Sequence, residues 1–254
     1  MGKHQCRIII PDLDSQVDQN EEWIYVEKDG RRLKLRLHDY GQLYKIPGLY
    51  EKIFYEELNC DSPSVVCGLL GDALRETGNP DGDLRVFDFG AGNGMVGEKI
   101  KQLGCELLVG VDILPEAKEA TERDRPGLYD RYYVLNLADL EDDIRKRLES
   151  YNFNTLVTVA ALGFNDIPTQ AFLNAFNLLQ DEAWVAFNIR DRFLSESDDT
   201  GYRQALESMI NNNFEIMKET RYCHRLSLNG EELCYHAIVG RKTGNVDIAS
   251  FVSN

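Results

Sequence analysis

Residues 86–94 read Val-Phe-Asp-Phe-Gly-Ala-Gly-Asn-Gly, and a second apolar run, Val109-Gly110-Val111, ends at Asp112 and Ile113. An apolar run closes on an acid, turns through three glycines at alternate positions, and continues into a helical pattern. A second apolar run then closes on a second acid. A strand that delivers a glycine turn to a helix N-terminus lets a ligand approach backbone that a side chain would shield. An acid at the end of the next strand is placed to accept hydrogen bonds from a ribose diol. These residues point to a nucleoside-containing cofactor.

Gly92-Asn93-Gly94-Met95-Val96-Gly97 also matches G-x-G-x-x-G, which read literally suggests a dinucleotide. Asp88 argues against it. A pyrophosphate is drawn to a glycine turn by positive potential, and a carboxylate two residues before the first glycine repels it. The same carboxylate suits a ligand carrying an ammonium and a sulfonium. The pattern Asp88-x-Gly90-x-Gly92-x-Gly94, with Asp112 closing the second strand, resembles motif I and its following acid in class I SAM-dependent methyltransferases.

That resemblance implies S-adenosyl-L-methionine (SAM) as cofactor, S-adenosyl-L-homocysteine as product, and a set of site residues. Gly90, Ala91, Gly92 and Gly94 would let the methionine and ribose portions approach the backbone. Asp88 would hold the methionine ammonium, directly or through water, or else cap a helix; Asp112 would take the ribose hydroxyls, or else stand as a plain strand-end acid. Ile113 would pack on the adenine or in the core. Asn136 stands where relatives carry an acid for the adenine amino group. It keeps an acceptor oxygen without the charge, and Leu137 follows it at the same site. Asp139 is a rival for that contact, or an N-cap. The backbone at Ala160 and Ala161 would face the reacting methyl and the amino group. Tyr40 and Tyr44 would cover the carboxylate end of the cofactor, or else pack in the core. The run from Arg85 through the third strand, with Leu128-Tyr129-Asp130-Arg131-Tyr132, is similar to small methyltransferase-domain proteins of the Williams–Beuren-region type.

From residue 84 onward, short apolar runs alternate with amphipathic helical patterns, which predicts a doubly wound α/β sheet, Rossmann-like and mostly parallel. Strands are expected near 84–89, 106–111, 131–135, 155–160 and 184–189. A first helix carries Val96, Ile100 and Leu103 and stops at Gly104. A second starts at Pro115 with Glu116 in its first turn. A third has Asp139, Glu141, Asp142 and Asp143 early and Arg145, Lys146 and Arg147 late, and a fourth buries Phe172, Ala175, Phe176 and Leu179. Past a polar loop at 195–200, one more helix carries Tyr202, Leu206, Met209 and Ile210. Long runs at 214–224 and 233–240 around Asn229-Gly230 predict a C-terminal antiparallel hairpin. Residues 84–254 thus read as the cofactor-binding core. Residues 1–83 read as an N-terminal extension: a hairpin at 23–37 around Asp29-Gly30, then helical patterns near 48–58 and 63–76. The resemblance implies that this extension lids the cofactor and shapes the acceptor pocket.

The chain has 254 residues, 43% hydrophobic, and a formal charge of −15. Such a surface repels phosphate backbones, so nucleic acid is a poor candidate partner. The basic cluster Arg31-Arg32-x-Lys34-x-Arg36 alternates along a strand as one solvated face. Six cysteines without a C-x-x-C pair and four scattered histidines suggest no metal site and a reduced, cytoplasmic protein. Ile8-Ile9-Ile10, cut by Pro11, is too short for a signal peptide or a membrane span.

The resemblance leaves the acceptor open. An Asn/Asp-Pro-Pro-Tyr/Phe motif is absent after the fourth strand, which reads Val157-Thr158-Val159-Ala160-Ala161-Leu162-Gly163-Phe164-Asn165-Asp166. This argues against amide nitrogens of nucleobases or glutamines and leaves small-molecule or protein O and N acceptors, with residues 164–166 bordering them. In-line methyl transfer needs alignment and a lone pair, so a dedicated base is optional. His38, His224, His236 and Asp166 are the candidates, and no catalytic residue is assigned. Two other classes stay open: a SAM-binding protein without transferase activity, and an NAD(P)-binding oxidoreductase.

Overall fold

The computed structural model describes residues 6–11, 17–78, 83–163 and 166–250. A small antiparallel sheet comes first, formed by β1 (Arg7–Ile9), β2 (Trp23–Lys28) and β3 (Arg31–Arg36). The predicted hairpin turns at Asp29 and Gly30, both at positive φ. β1 is an addition to the sequence reading: Ile8 and Ile9 find a partner strand in Val26 and Tyr25. The outer face pairs Tyr25 with Lys34 and Glu27 with Arg32, and Lys34 Nζ lies 3.8 Å from the Trp23 ring centroid. The basic alternation is therefore an exposed face, as expected. Three short or irregular segments follow: α1 (Tyr40–Tyr44), α2 (Leu49–Glu51) and a π-helical turn, Lys52–Glu57, that continues it. Their apolar residues Leu43, Leu49, Ile53 and Phe54 close over Ile24 and Val26 of the small sheet and Leu37 just after it.

The main sheet has seven strands: β4 (Leu84–Phe89), β5 (Cys105–Asp112), β6 (Arg131–Val134), β7 (Thr155–Thr158), β8 (Trp184–Arg190), β9 (Phe214–Leu226) and β10 (Glu232–Lys242). Their spatial order is β6-β5-β4-β7-β8-β10-β9, and only β10 runs antiparallel to its neighbours. The order reverses beside β4, so the C-terminal ends of β4, β5 and β7 open a crevice at the switch point. Both faces are covered, as near-continuous apolar strands require. On one face lie α3 (Ser62–Glu76) and α4 (Met95–Lys101), whose Val66, Leu70, Leu74, Val96 and Ile100 pack on Val86, Leu108 and Val239. α5 (Pro115–Asp124) sets Ala117 and Ala120 against Tyr44. α6 (Asp142–Glu149), α7 (Thr169–Asn177) and α8 (Tyr202–Asn212) cover the other face over Phe87, Phe153 and Phe187.

Two of the boundaries that differ from the pattern in the sequence bear on the site. The third helix starts at Asp142 with Glu141 as its cap residue, so Asp139 lies outside it. β7 stops at Thr158 instead of reaching 160, because Ala160 takes a left-handed conformation with φ of 56°. α3, the second helical pattern of the extension, is a layer of the sheet's core, while 40–57 stand over the crevice. Among the described residues no helix is long and apolar enough to cross a membrane, and no group of three or more His, Cys, Asp or Glu is gathered as a metal site.

Candidate functional site

The glycine turn is built by its own backbone. Gly90 and Ala91 both donate their N–H to Val111 O, at 2.9 and 3.1 Å, which ties the turn to the end of the neighbouring strand. Gly92 donates to Asp112 Oδ2 at 2.9 Å, and Gly94 donates to Ala91 O at 3.0 Å before α4 begins. Gly90 and Gly92 have φ of 75° and 54°, a region that costs any other residue. Space is equally restrictive: a Cβ on Gly92 would sit 2.7 Å from the Tyr44 hydroxyl, and one on Gly90 2.9 Å from Ala161 Cβ. The carbonyl of Gly92 is held from outside by Thr121 Oγ1 at 2.9 Å and Tyr132 OH at 2.6 Å.

Asp112 ends β5 with each carboxylate oxygen on a backbone N–H, Oδ2 on Gly92 and Oδ1 on Leu114 at 2.9 Å. Burial raises its pKa, and those amides pull the other way. Each oxygen keeps lone-pair capacity toward the cavity that Asp112 lines. Next to it Ile113 is 56% exposed, a large apolar side chain left on a cavity wall.

That cavity measures about 640 Å³ and lies in the crevice at the switch point. Of the residues the sequence singles out, Tyr44, Gly90, Ala91, Gly92, Asp112, Ile113, Asn136, Leu137 and Ala160 line it. Asn136 Oδ1 accepts the Ala138 N–H at 3.0 Å and caps the loop after β6. Tyr44 is buried beside Tyr50, with ring centroids 5.0 Å apart.

Two expected site residues are not on this wall. Asp88 is fully buried beneath the turn, where Oδ2 accepts from Tyr129 OH at 2.7 Å and Oδ1 has no protein partner. Alternation along β4 explains this: the carboxylate points into the layer between sheet and loop, where the 128–132 segment meets it. Burial pushes its pKa up to about 7, although the Tyr129 hydrogen bond opposes that. Gly94 is the second. Its φ of 90° starts α4, and the direction of its absent Cβ is filled by Leu128 and Arg125.

The structure adds residues that the pattern did not single out. Arg125 ties the turn to the N-terminal segment, its Nη1 donating to Glu51 Oε1 at 2.9 Å and to Asn93 O at 3.0 Å. Asn93 Nδ2 also donates to Glu51 Oε1, at 2.8 Å. Arg123 Nη1 reaches Tyr44 O at 3.0 Å. Asn188 Oδ1 accepts the Ala160 N–H at 2.6 Å. Asn188, a polar residue inside an apolar run, gave an advance signal; Arg123 and Arg125, set in polar sequence, gave none.

The four candidate bases separate in space. His236 sits on the outer strands against Glu219 and Asp191. His224 is buried with Nδ1 2.6 Å from Ser62 Oγ, and desolvation holds it well below the usual imidazole range. His38 and Asp166 come together, Nδ1 to Oδ2 at 3.4 Å, and both line the cavity. Residues 164–165 of the same loop lie outside the described residues.

No family model matches this chain, and no curated protein sequence matches it. Solved structures do. A proposed RNA methyltransferase from Pyrococcus horikoshii is 14% identical, with a TM-score of 0.50 over 73% of this chain and 88% of its own. Magnesium protoporphyrin IX methyltransferase from Synechocystis, solved with bound SAM, is 16% identical, with a TM-score of 0.49 over 71% and 79%. The N-methyltransferase NodS from Bradyrhizobium japonicum is 12% identical, with a TM-score of 0.48 over 71% and 96%. At these identities the likeness concerns architecture. The seven-stranded, mostly parallel sheet is Rossmann-like, the fold it shares with the Pyrococcus structure.

Proposed function

We propose that this chain is a SAM-dependent methyltransferase acting on a small-molecule O or N acceptor. One observation carries the reading: the hydrogen-bond economy of the glycine turn. The N–H groups of Gly90, Ala91, Gly92 and Gly94 are all used internally, on Val111 O, Asp112 Oδ2 and Ala91 O. A dinucleotide pyrophosphate needs such donors turned toward it. What the turn offers the cavity is a carboxylate and bare backbone, which suits a ribose diol and a cationic tail. This argues against the NAD(P) alternative.

Asp112 would hold the ribose hydroxyls, Ile113 and Leu137 would flank the adenine, and Asn136 would meet its amino edge. Gly90, Gly92, Tyr44 and Ala160 would border the methionine portion. SAM bound there supplies a methyl group on a sulfonium, an electrophile that needs an aligned lone pair rather than a protein nucleophile. The cavity falls in the ~300–1,000 Å³ range of small-molecule sites, and residues between His38 and Pro63 supply part of its wall. The segment 128–132 braces the site from behind, Tyr129 on Asp88 and Tyr132 on the Gly92 carbonyl. The charge of −15 speaks against nucleic acid, a protein acceptor is the second reading, and reduced cysteines suit the cytoplasm.

Calorimetric titration with SAM, S-adenosylhomocysteine and NADH tests the reading. Adenosyl binding that is lost in Asp112→Ala supports it; NADH binding without SAM binding overturns it. Turnover of bound SAM with an acceptor separates a transferase from a non-catalytic SAM binder.

A further inference from the structure

Building on that reading, we infer that the acceptor is an amine, bound as its ammonium beside Asp166 among tyrosine rings, and that His38 takes its proton. The cavity has two ends. The glycine turn, Asp112, Ile113 and Asn136 occupy one, and the proposed cofactor accounts for them. At the other, the loop after β7 brings Ala160, Asp166 and Ile167 opposite His38, Tyr40 and Tyr50. His38 and Asp166 also line a smaller adjoining space of about 20 Å³ that continues toward His224, Tyr235 and Arg225, whose charge is taken up by Glu22. Their side chains are 11% and 28% exposed, enclosed but open to the cavity.

The wall selects by charge. Among the described residues its acidic and imidazole side chains are Asp39, Asp112, Asp166 and His38, with no lysine or arginine. An anionic acceptor would meet aspartates in a poorly screened space with nothing to answer them. An ammonium gains Asp166 and the faces of neutral aromatic rings. Burial drives the hydroxyl pKa values of Tyr40, Tyr44 and Tyr50 upward, so these rings carry no charge. The rings form a continuous set, with Tyr40–Tyr50 and Tyr50–Phe54 centroids 6.4 and 4.7 Å apart.

An ammonium has no lone pair, so a proton must leave before the nitrogen can attack. His38 beside Asp166 fits that task, because the carboxylate orients the ring and stabilises the imidazolium. The amine proton passes to the His38 imidazole. The freed nitrogen pair forms the N–CH3 bond while the CH3–S bond breaks. The bonding pair stays on sulfur, leaving the neutral thioether S-adenosylhomocysteine. A carboxylate acceptor would need no base at all.

The test uses the full chain saturated with S-adenosylhomocysteine and three probes sharing one ring: tyramine, tyrosol and 4-hydroxyphenylacetate. Calorimetry should show tyramine binding at least about tenfold tighter than the other two. Asp166→Asn should remove most of that preference while S-adenosylhomocysteine affinity stays unchanged. With SAM, mass spectrometry should find the new methyl on the tyramine nitrogen, and His38→Gln should lower kcat about a hundredfold or more. Equal or absent binding of the three probes, or methylation at the phenolic oxygen, overturns the inference while leaving the SAM reading intact. Absence of S-adenosylhomocysteine binding overturns the SAM reading itself. The wild-type comparison of probes stands even where a variant fails to fold.

Discussion

Asn188 Oδ1 accepts the Ala160 N–H at 2.6 Å, and so a residue in the middle of β8 holds the left-handed backbone that ends β7 at the cavity. Its amide nitrogen donates to Tyr222 OH at 2.7 Å and to Ser62 Oγ at 3.2 Å, and Ser62 in turn meets His224. This buried network links α3, β8 and β9 to one strained peptide on the cavity wall. Low-dielectric surroundings make every member costly to orphan.

Asn188→Leu should therefore destabilise the protein by about 1–3 kcal/mol, since it strands the Ala160 amide and takes one donor from the Tyr222 and Ser62 hydroxyls, which keep each other. Urea titration gives the loss of stability. Calorimetry should show weaker S-adenosylhomocysteine binding as Ala160 relaxes.

Gly92→Ala combines a φ of 54° with a Cβ 2.7 Å from the Tyr44 hydroxyl. Gly230, at φ 82°, has open space in the Cβ direction and serves as control. Each alanine should cost about 1–2 kcal/mol for its left-handed backbone. Only Gly92→Ala should also weaken adenosyl binding, by about tenfold or more. Equal affinities in the two variants would show that the turn is structural alone.

Asp112→Asn keeps the shape and removes the charge. Hydrogen bonds to a charged group contribute about 1.5–3 kcal/mol, so S-adenosylhomocysteine affinity should fall about 10- to 100-fold, and the unfolding transition should fall as well, because the amide NH2 replaces one oxygen that accepts a backbone N–H. An unchanged affinity would remove Asp112 from the cofactor site.

Asp88 gives a pH signature. Burial lifts its folded-state carboxyl from the ordinary 3.8 up to about 7, so between about pH 4 and 7 the folded chain holds a proton that the unfolded chain has lost. Its contribution to stability is present below about pH 4 and is lost as pH rises toward 7, at up to about 1.4 kcal/mol per pH unit. Asp88→Asn cannot lose that proton. Its stability relative to wild type should climb across this window and level off above it. A flat difference would mean that Asp88 ionises normally.

Glu22 and Arg225 form an ion pair at 2.7 Å with side chains 3% and 2% exposed. The pair fastens the entrance of β2 to the end of β9. Arg225→Met leaves a buried carboxylate without its cation and should cost about 3–5 kcal/mol. Adding Glu22→Gln should recover part of that, so the two changes are not additive in urea unfolding.

The order of strands and helices from 84 onward was legible because each element carries its own period: apolar runs for two-sided strands, 3.6-residue spacing for helices, and glycine or proline at their ends. The glycine turn and Asp112 were legible for a related reason. A tight turn and a strand-end acid are local requirements, written within a few residues of where they act. Where local pattern misled, a distant segment had decided. Asp88 looks like an acid of the cavity wall, but the fold buries it, and Tyr129, forty-one residues on, holds one of its oxygens. Asp139 looks like a cap until the helix begins at Asp142.

By itself, the sequence determined the doubly wound sheet, its closing hairpin and the turn that opens the crevice, because backbone propensity and side-chain periodicity act over short range. Only the tertiary structure decided which polar groups share the cavity. The pairing of His38 with Asp166 spans 128 residues, that of Asn188 with Ala160 twenty-eight, and that of Glu51 with Arg125 seventy-four. No local rule encodes these meetings. They follow from packing the extension and the strand-end loops over one switch point, where burial then sets which acids face the cavity and which are turned away from it.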